Sequence, residues 1–355
     1  MSHPSHLVSA SDGNRIFGSR STVYLPAPMV GTPKPPLVSV VTPVYNGARY
    51  LEECLESVLR QTYANWEYKV IDNASTDATP EIVERFTARD TRVQLLRFED
   101  HVPANANHNR AFAAIASESE FCKVVQADDW LYSECLESMV RVAVTNDSVS
   151  LVSAYRLWER EVDLVGVPYT REVVSGREIL RQSLLGGPYV TGAPTALLYR
   201  SRLVRERPAF YEDGLLHADT EAAYWMLTQG DFGCVHQVLT FARRQTGAWM
   251  EWASAVSTYS PENLRFLLRY GPKALTEAEY RSRLRFELRR YAWWHLRQVP
   301  KPSRLSGDFI EVHRREIDGI LDESHGDPEV RAAMLFIRAL LLRGGRDRAS
   351  SLPLR

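Results

Sequence analysis

Long apolar runs are missing from this chain: no stretch reaches the ~18 residues that a membrane-spanning helix needs. The opening residues, rich in Ser, Gly and His, lack the apolar centre of a signal peptide. Charge of one sign is missing too. The formal net charge is -1, which argues against nucleic-acid binding, because such domains are strongly basic. Cysteine is scarce: Cys54, Cys122, Cys135 and Cys234 stand at no metal-ligand spacing. Cys54, Cys122 and Cys135 fall in apolar segments and read as small core residues of a reducing, cytoplasmic compartment. None of the nine histidines pairs at metal-ligand spacing in a plausible helix or loop.

The 355 residues allow one large domain plus an appendage. The most informative feature is a pair of adjacent carboxylates, Asp128 and Asp129, closing the run Phe121-Cys122-Lys123-Val124-Val125-Gln126-Ala127. Such a run reads as a buried strand. Two like charges at its end repel unless a cation or hydrogen-bond donors hold them, and carboxylate oxygens are ligands that Mg²⁺ or Mn²⁺ prefers. The plainer reading is a strand-to-helix turn, with Asp129 capping a helix that starts near Trp130.

Three more strand–turn–helix units precede the pair. Leu37–Gly47 leads to a helix carrying Leu51, Leu55, Val58 and Leu59. Trp66–Ile71 ends in Asp72-Asn73-Ala74-Ser75-Thr76-Asp77, with a helix from about Thr79. Val93–Phe98 runs into Pro103–Arg110 and a third helix. The repetition predicts an α/β fold with a mostly parallel sheet covered on both faces. Right-handed crossovers bring the polar strand ends to one edge, so Asp72, Asn73, Asp128 and Asp129 are expected in one crevice.

Taken in order, these pieces resemble the family 2 inverting glycosyltransferases, which have the GT-A fold. The resemblance runs from about Leu37 to Gly247. It rests on Val40–Asn46, Ile71–Asp77, Asn109 with Arg110, Gln126–Trp130, His217–Glu221 and Leu239–Arg244. It implies a nucleoside-diphosphate sugar donor, with UDP favoured, a hydroxyl acceptor, and Mn²⁺ or Mg²⁺ as cofactor. Pro43 and Tyr45 would line the nucleotide pocket, Tyr45 against the base; otherwise Tyr45 is a half-buried turn residue. Asp72 and Asn73 match a position pair that is often two acids, the second of which reads the base. Here an amide replaces that acid and offers a donor as well as an acceptor.

Asp129 would be the metal ligand, and Asp128 a ribose contact or second metal ligand; Gln126 stands where the longer Asp-x-Asp form has its first acid. Asp219 would be the general base, with helix capping as its ordinary alternative, and Glu221 a weaker candidate. Of Arg243 and Arg244, Arg243 is preferred near the pyrophosphate, though a solvated pair is equally open. Asn109 would join the donor site. The Gly- and Pro-rich Gly186–Thr195 looks like a loop on the acceptor side.

The expected division is a tail over 1–36, the transferase domain over 37–250 and a helical region over 251–355. In the last, Glu277–Arg297 is rich in arginine and carries Trp293 and Trp294. Such a helix either packs its aromatic stripe on its neighbour or lies on an anionic membrane surface. Two other functions are kept: a sugar-nucleotide-binding relic without catalysis, and a nucleotidyltransferase. The second would need a Gly-rich phosphate loop with a basic residue after the first strand, which Thr42–Gly47 does not supply.

Overall fold

Seven consecutive residues of the first strand, β1 (Val38–Val44), are buried, as a strand covered on both faces requires. The next helix, α1 (Leu51–Leu59), buries Leu51, Cys54, Leu55 and Val58 on one stripe. It returns the chain to β2 (Trp66–Asn73), parallel to β1 with Val38 opposite Trp66. α2 (Thr79–Thr87) starts with Pro80 in its first turn, where a missing N–H costs nothing. β3 (Val93–Phe98), α3 (Ala104–Ala113) and β4 (Phe121–Val124) complete the parallel half. This is described by a computed structural model covering residues 34–243, 252–253, 255–298 and 307–344. The expected tail up to residue 33, Arg244 and the expected 250/251 boundary lie outside the described residues.

The other half is mixed. β5 (Trp130–Leu131), α4 (Cys135–Thr145), β6 (Val149–Trp158), β7 (Glu161–Asp163) and β8 (Val173–Val174) come first. They are followed by α5 (Gly176–Leu184), β9 (Leu197–Arg200), α6 (Ser201–Glu206), α7 (Ala218–Gln229) and β10 (Asp231–Ala242). The sheet order is β3-β2-β1-β4-β9-β6-β10-β5, with β7 on β6 and β8 on β10. β9 runs antiparallel to both β4 and β6, whereas β10 is parallel to β6.

Two expectations are corrected. No helix starts near Trp130: Trp130 and Leu131 form a strand antiparallel to β10, and the Trp130 ring stacks on Phe241 at 3.6 Å. Asp129 is therefore no helix cap, and α4 starts only at Cys135. The polar segment after Pro103 is not a loop leading to a helix but the helix α3 itself.

Four helices close the described chain: α8 (Tyr259–Ala274), α9 (Glu277–Gln298), α10 (Gly307–Glu323) and α11 (Pro328–Gly344). Their Leu264, Phe266, Tyr291, Ile317 and Met334 share one buried cluster with Val41, Leu197, Tyr199 and Phe232 of the sheet. On the opposite sheet face Leu55, Val83, Phe86, Leu136 and Met139 cover Val40, Val70 and Val152. On α9, Trp294 packs against Phe309 and His313, while its neighbour Trp293 is exposed. All four cysteines are buried and free. None of the described helices is long and apolar enough to cross a membrane.

Candidate active site

Beyond the carboxyl ends of β4, β6 and β10 lies a cavity of about 880 Å³, where ligands of open α/β sheets bind. Asp128, Asp129, Arg243 and Asp219 all line it. So do Arg156 from β6, Tyr259 from α8 and Arg283, Glu287 and Arg290 from α9.

The chain after β4 is held by cross-links from its neighbours. Thr42 Oγ1 donates to the Val125 carbonyl at 2.8 Å. Thr195 accepts from the Gln126 N–H at 3.0 Å and donates to Asp129 Oδ2 at 2.6 Å. The other oxygen, Oδ1, accepts from the Arg243 N–H at 3.1 Å. Behind them the buried Lys123 Nζ donates to the Thr195 carbonyl at 2.6 Å. Asp129 is nearly buried, 5% exposed. Burial first, and then the Asp128 charge, push its carboxyl up to about 7, against the pull of Thr195 and Arg243. Asp128 is more open to the cavity.

Each Asp129 oxygen has spent one hydrogen bond, which leaves lone pairs for a further partner. Among the described residues no group of three or more His, Cys, Asp or Glu side chains could hold a metal. Two adjacent carboxylates match the one or two that Mg²⁺ typically takes from a protein when phosphate oxygens complete its shell.

Asp219 lies in the first turn of α7, after His217 at the N-cap position. Burial raises its pKa, partly offset by the Thr220 N–H at 2.8 Å and by the charge of Arg156. The loop before it is fastened on two sides. Asn105 of α3 donates to the Leu215 carbonyl at 2.7 Å. From α8, the carboxylate of Glu262 accepts the N–H groups of Leu216 at 2.6 Å and His217 at 2.8 Å. The His217 ring stacks on Tyr259 at 3.6 Å. Glu221 does not line the cavity: it is buried against Arg207 at 2.8 Å, Arg269 at 3.1 Å and the Tyr270 hydroxyl.

Arg156 went unnoticed in the sequence. It is 8% exposed and paired with Asp163 at 2.5 Å, and its charge acts on both Asp129 and Asp219. The available signal was a lone cation near the carboxyl end of a strand that holds no other charge. His108 was missed as well: its Nδ1 faces the Ala104 carbonyl at 2.8 Å and its Nε2 faces Gln126 Nε2 at 3.0 Å. The Ala104 carbonyl can only accept and the Gln126 amide nitrogen can only donate, so Nδ1 carries the proton and Nε2 accepts; burial lowers the ring's pKa.

The donor-side expectations divide. Arg243 lines the cavity, its guanidinium 2.5 Å from Glu53 and over the Tyr50 ring. Pro43, Tyr45, Asp72, Asn73 and Asn109 do not line it. Two of these already spend their amides on protein partners. Asn73 donates to the Val102 carbonyl at 2.8 Å and accepts from Val102 N–H at 3.0 Å and Arg110 at 3.2 Å. Asn109 makes a two-way clip to the Tyr211 backbone, 2.8 Å each way. Asp72 is fully buried; Oδ1 accepts the Ser75 N–H at 3.1 Å, and Oδ2 has no hydrogen-bond donor, with Arg97 at 3.6 Å. Pro43 is buried in β1, while Tyr45 is 49% exposed, edge-on to His101 at 4.3 Å.

The sheet order, with acids at its carboxyl edge, is that of a GT-A fold. Residues 39–207, just under half of the chain, match the model of glycosyl transferase family 2. Among relatives, glycosyltransferase GlyG of Streptococcus pneumoniae is 33% identical over 119 residues, 34% of this chain and 39% of GlyG. Glycosyltransferase GlyA of the same organism is 30% identical over 118 residues, 33% of this chain and 16% of GlyA. The matched stretch thus spans less than half the length of these relatives. The crystal structure of Staphylococcus aureus TarS 1–349 in complex with UDP superposes with a TM-score of 0.56 at 20% identity, covering 86% of this chain and 90% of that one. At that identity the likeness speaks for the fold.

Proposed function

We propose that the protein is an inverting, metal-dependent glycosyltransferase that moves a sugar from a nucleoside diphosphate to an acceptor hydroxyl in glycan synthesis. The observation that carries this reading is the shared cavity: a carboxylate pair suited to a diphosphate-bound cation and a second, separate carboxylate both line it. Asp128 and Asp129 hold the diphosphate end of the donor, with Arg243 beside them as its cationic partner. Asp128 and Asp129 would hold a divalent ion, Mn²⁺ or Mg²⁺, which would supply Lewis-acid stabilisation of the charge on the leaving phosphate. Asp219 accepts the acceptor hydroxyl proton as that oxygen bonds to the anomeric carbon. The bond from that carbon to the diphosphate oxygen breaks, and its electron pair leaves with the nucleoside diphosphate. One displacement inverts the centre, so an α-linked donor gives a β-linked product.

A uridine donor is favoured, since the structurally similar TarS is described with UDP. The exposed Tyr45 supplies a stacking face for the base. The test is Asp219→Asn: loss of transfer with donor binding retained is expected. Unchanged transfer would remove Asp219 as the base.

A further inference from the structure

Helix α9 faces three ways. Leu284, Leu288 and Tyr291 are buried, and Arg283, Glu287 and Arg290 line the cavity. The third face carries Phe286, Trp293 and Leu296, each at least 44% exposed. Spacings of seven and three residues bring them to one side of a helix. Arg285, Arg289 and Arg297 surround them and are exposed, and the Arg297 guanidinium lies 3.6 Å over the Trp293 ring. Helix α11 is tied alongside by ion pairs Arg281–Asp327 at 2.5 Å and Arg285–Glu329 at 3.2 Å. It buries Met334, Ile337 and Leu341, yet leaves Leu335 and Phe336, between Arg331 and Arg338, and Leu342 beyond them about half exposed.

Charge decides what covers these apolar side chains. α9 holds six arginines against three glutamates, and α11 three against one, in a chain whose net charge is only -1. The two helices with exposed apolar residues thus each hold an excess of arginine over acid. A second copy meeting this face across a two-fold axis would bring like charges together. An anionic bilayer accepts both features, taking aromatic and aliphatic side chains into the headgroup region and pairing arginine with phosphate.

We propose that the outer faces of α9 and α11 dock on an anionic lipid bilayer. The docking face adjoins the edge of α9 that lines the cavity, so a docked enzyme would open its cavity beside the membrane. The acceptor is then one anchored in the lipid. That consequence rests on the glycosyltransferase reading; the docking itself does not.

The test is co-sedimentation of the full chain with vesicles of phosphatidylcholine alone or mixed with phosphatidylglycerol. Expected is pelleting with the anionic vesicles only, weakened by added salt. Phe286→Ser with Trp293→Ser and Leu296→Ser should abolish it, as should Arg289→Glu with Arg297→Glu, which leaves the apolar residues in place. Circular dichroism checks that both variants are folded. A wild-type protein that stays in the supernatant overturns the proposal. So does equal pelleting of wild type and both folded variants, or a wild-type dimer that ignores vesicles and is split by the apolar substitutions. Because vesicle binding needs no catalysis, such a failure leaves the cavity reading untouched.

Discussion

Asp219 and Asp129 are both carboxylates, yet their surroundings suit them to different tasks. Asp219 faces the cavity with a raised pKa, as a group that must take up a proton needs. Asp219→Asn should lower turnover by roughly 10²- to 10⁴-fold while calorimetry finds donor affinity unchanged. Arg156 holds both carboxylates toward the ionised form. In Arg156→Met both pKa values should rise, moving the acidic limb of the rate profile to higher pH; a profile that stays in place would contradict this role. Which polar residues serve the site and which serve the frame was only partly legible in sequence. Asp128, Asp129, Asp219 and Arg243 reach the cavity because they sit at or just beyond element ends that the apolar runs reveal. Asn73 and Asn109 looked equally available, but their amides are spent on the backbone at 102 and 211, contacts set by loops with no periodic signal. Arg156 escaped notice because its partner Asp163 belongs to a three-residue strand.

At the scale of elements, the loop from Tyr211 to His217 is what positions Asp219. Asn109→Ala removes both bonds to Tyr211 and should destabilise the fold by about 1–3 kcal/mol, with turnover falling more than donor affinity. Glu262 grips the same loop from α8. Burial, and then the charge of Glu316, push its carboxyl up to about 8, against the two N–H groups it accepts. A raised carboxyl pKa means the folded state holds a proton that the unfolded state has released. Stability from this group is therefore full below about 4.5 and is lost as pH rises through about 8. Thermal melts of Glu262→Gln should show a flatter loss of stability over that window than wild type. The parallel half, β1 to β4 with its helices, was readable because each apolar run is long and each turn polar. β5 was not: two residues are too short to carry a pattern, and Trp130 is fixed there by Phe241, distant in sequence.

At the scale of the whole molecule, the C-terminal helices complete the sheet's core. Leu264, Phe266 and Ile317 belong to the same buried cluster as Leu197 and Phe232, and α8 and α9 supply Tyr259, Arg283 and Arg290 to the cavity wall. A chain cut after Arg243 would expose that apolar surface and should be recovered unfolded or aggregated; a soluble, cooperatively melting fragment would contradict the shared core. Helical periodicity announced these helices, but not that they wall the cavity.

Donor calorimetry tests most directly whether the Asp128–Asp129 edge binds a nucleotide sugar through a divalent ion. UDP-, GDP- and dTDP-sugars are titrated into wild type and Asp129→Ala, with and without Mn²⁺. Expected is Mn²⁺-dependent binding of one nucleotide, UDP favoured, that disappears in the variant. Binding that ignores Mn²⁺ and survives Asp129→Ala, or no binding of any donor to the folded protein, would contradict it.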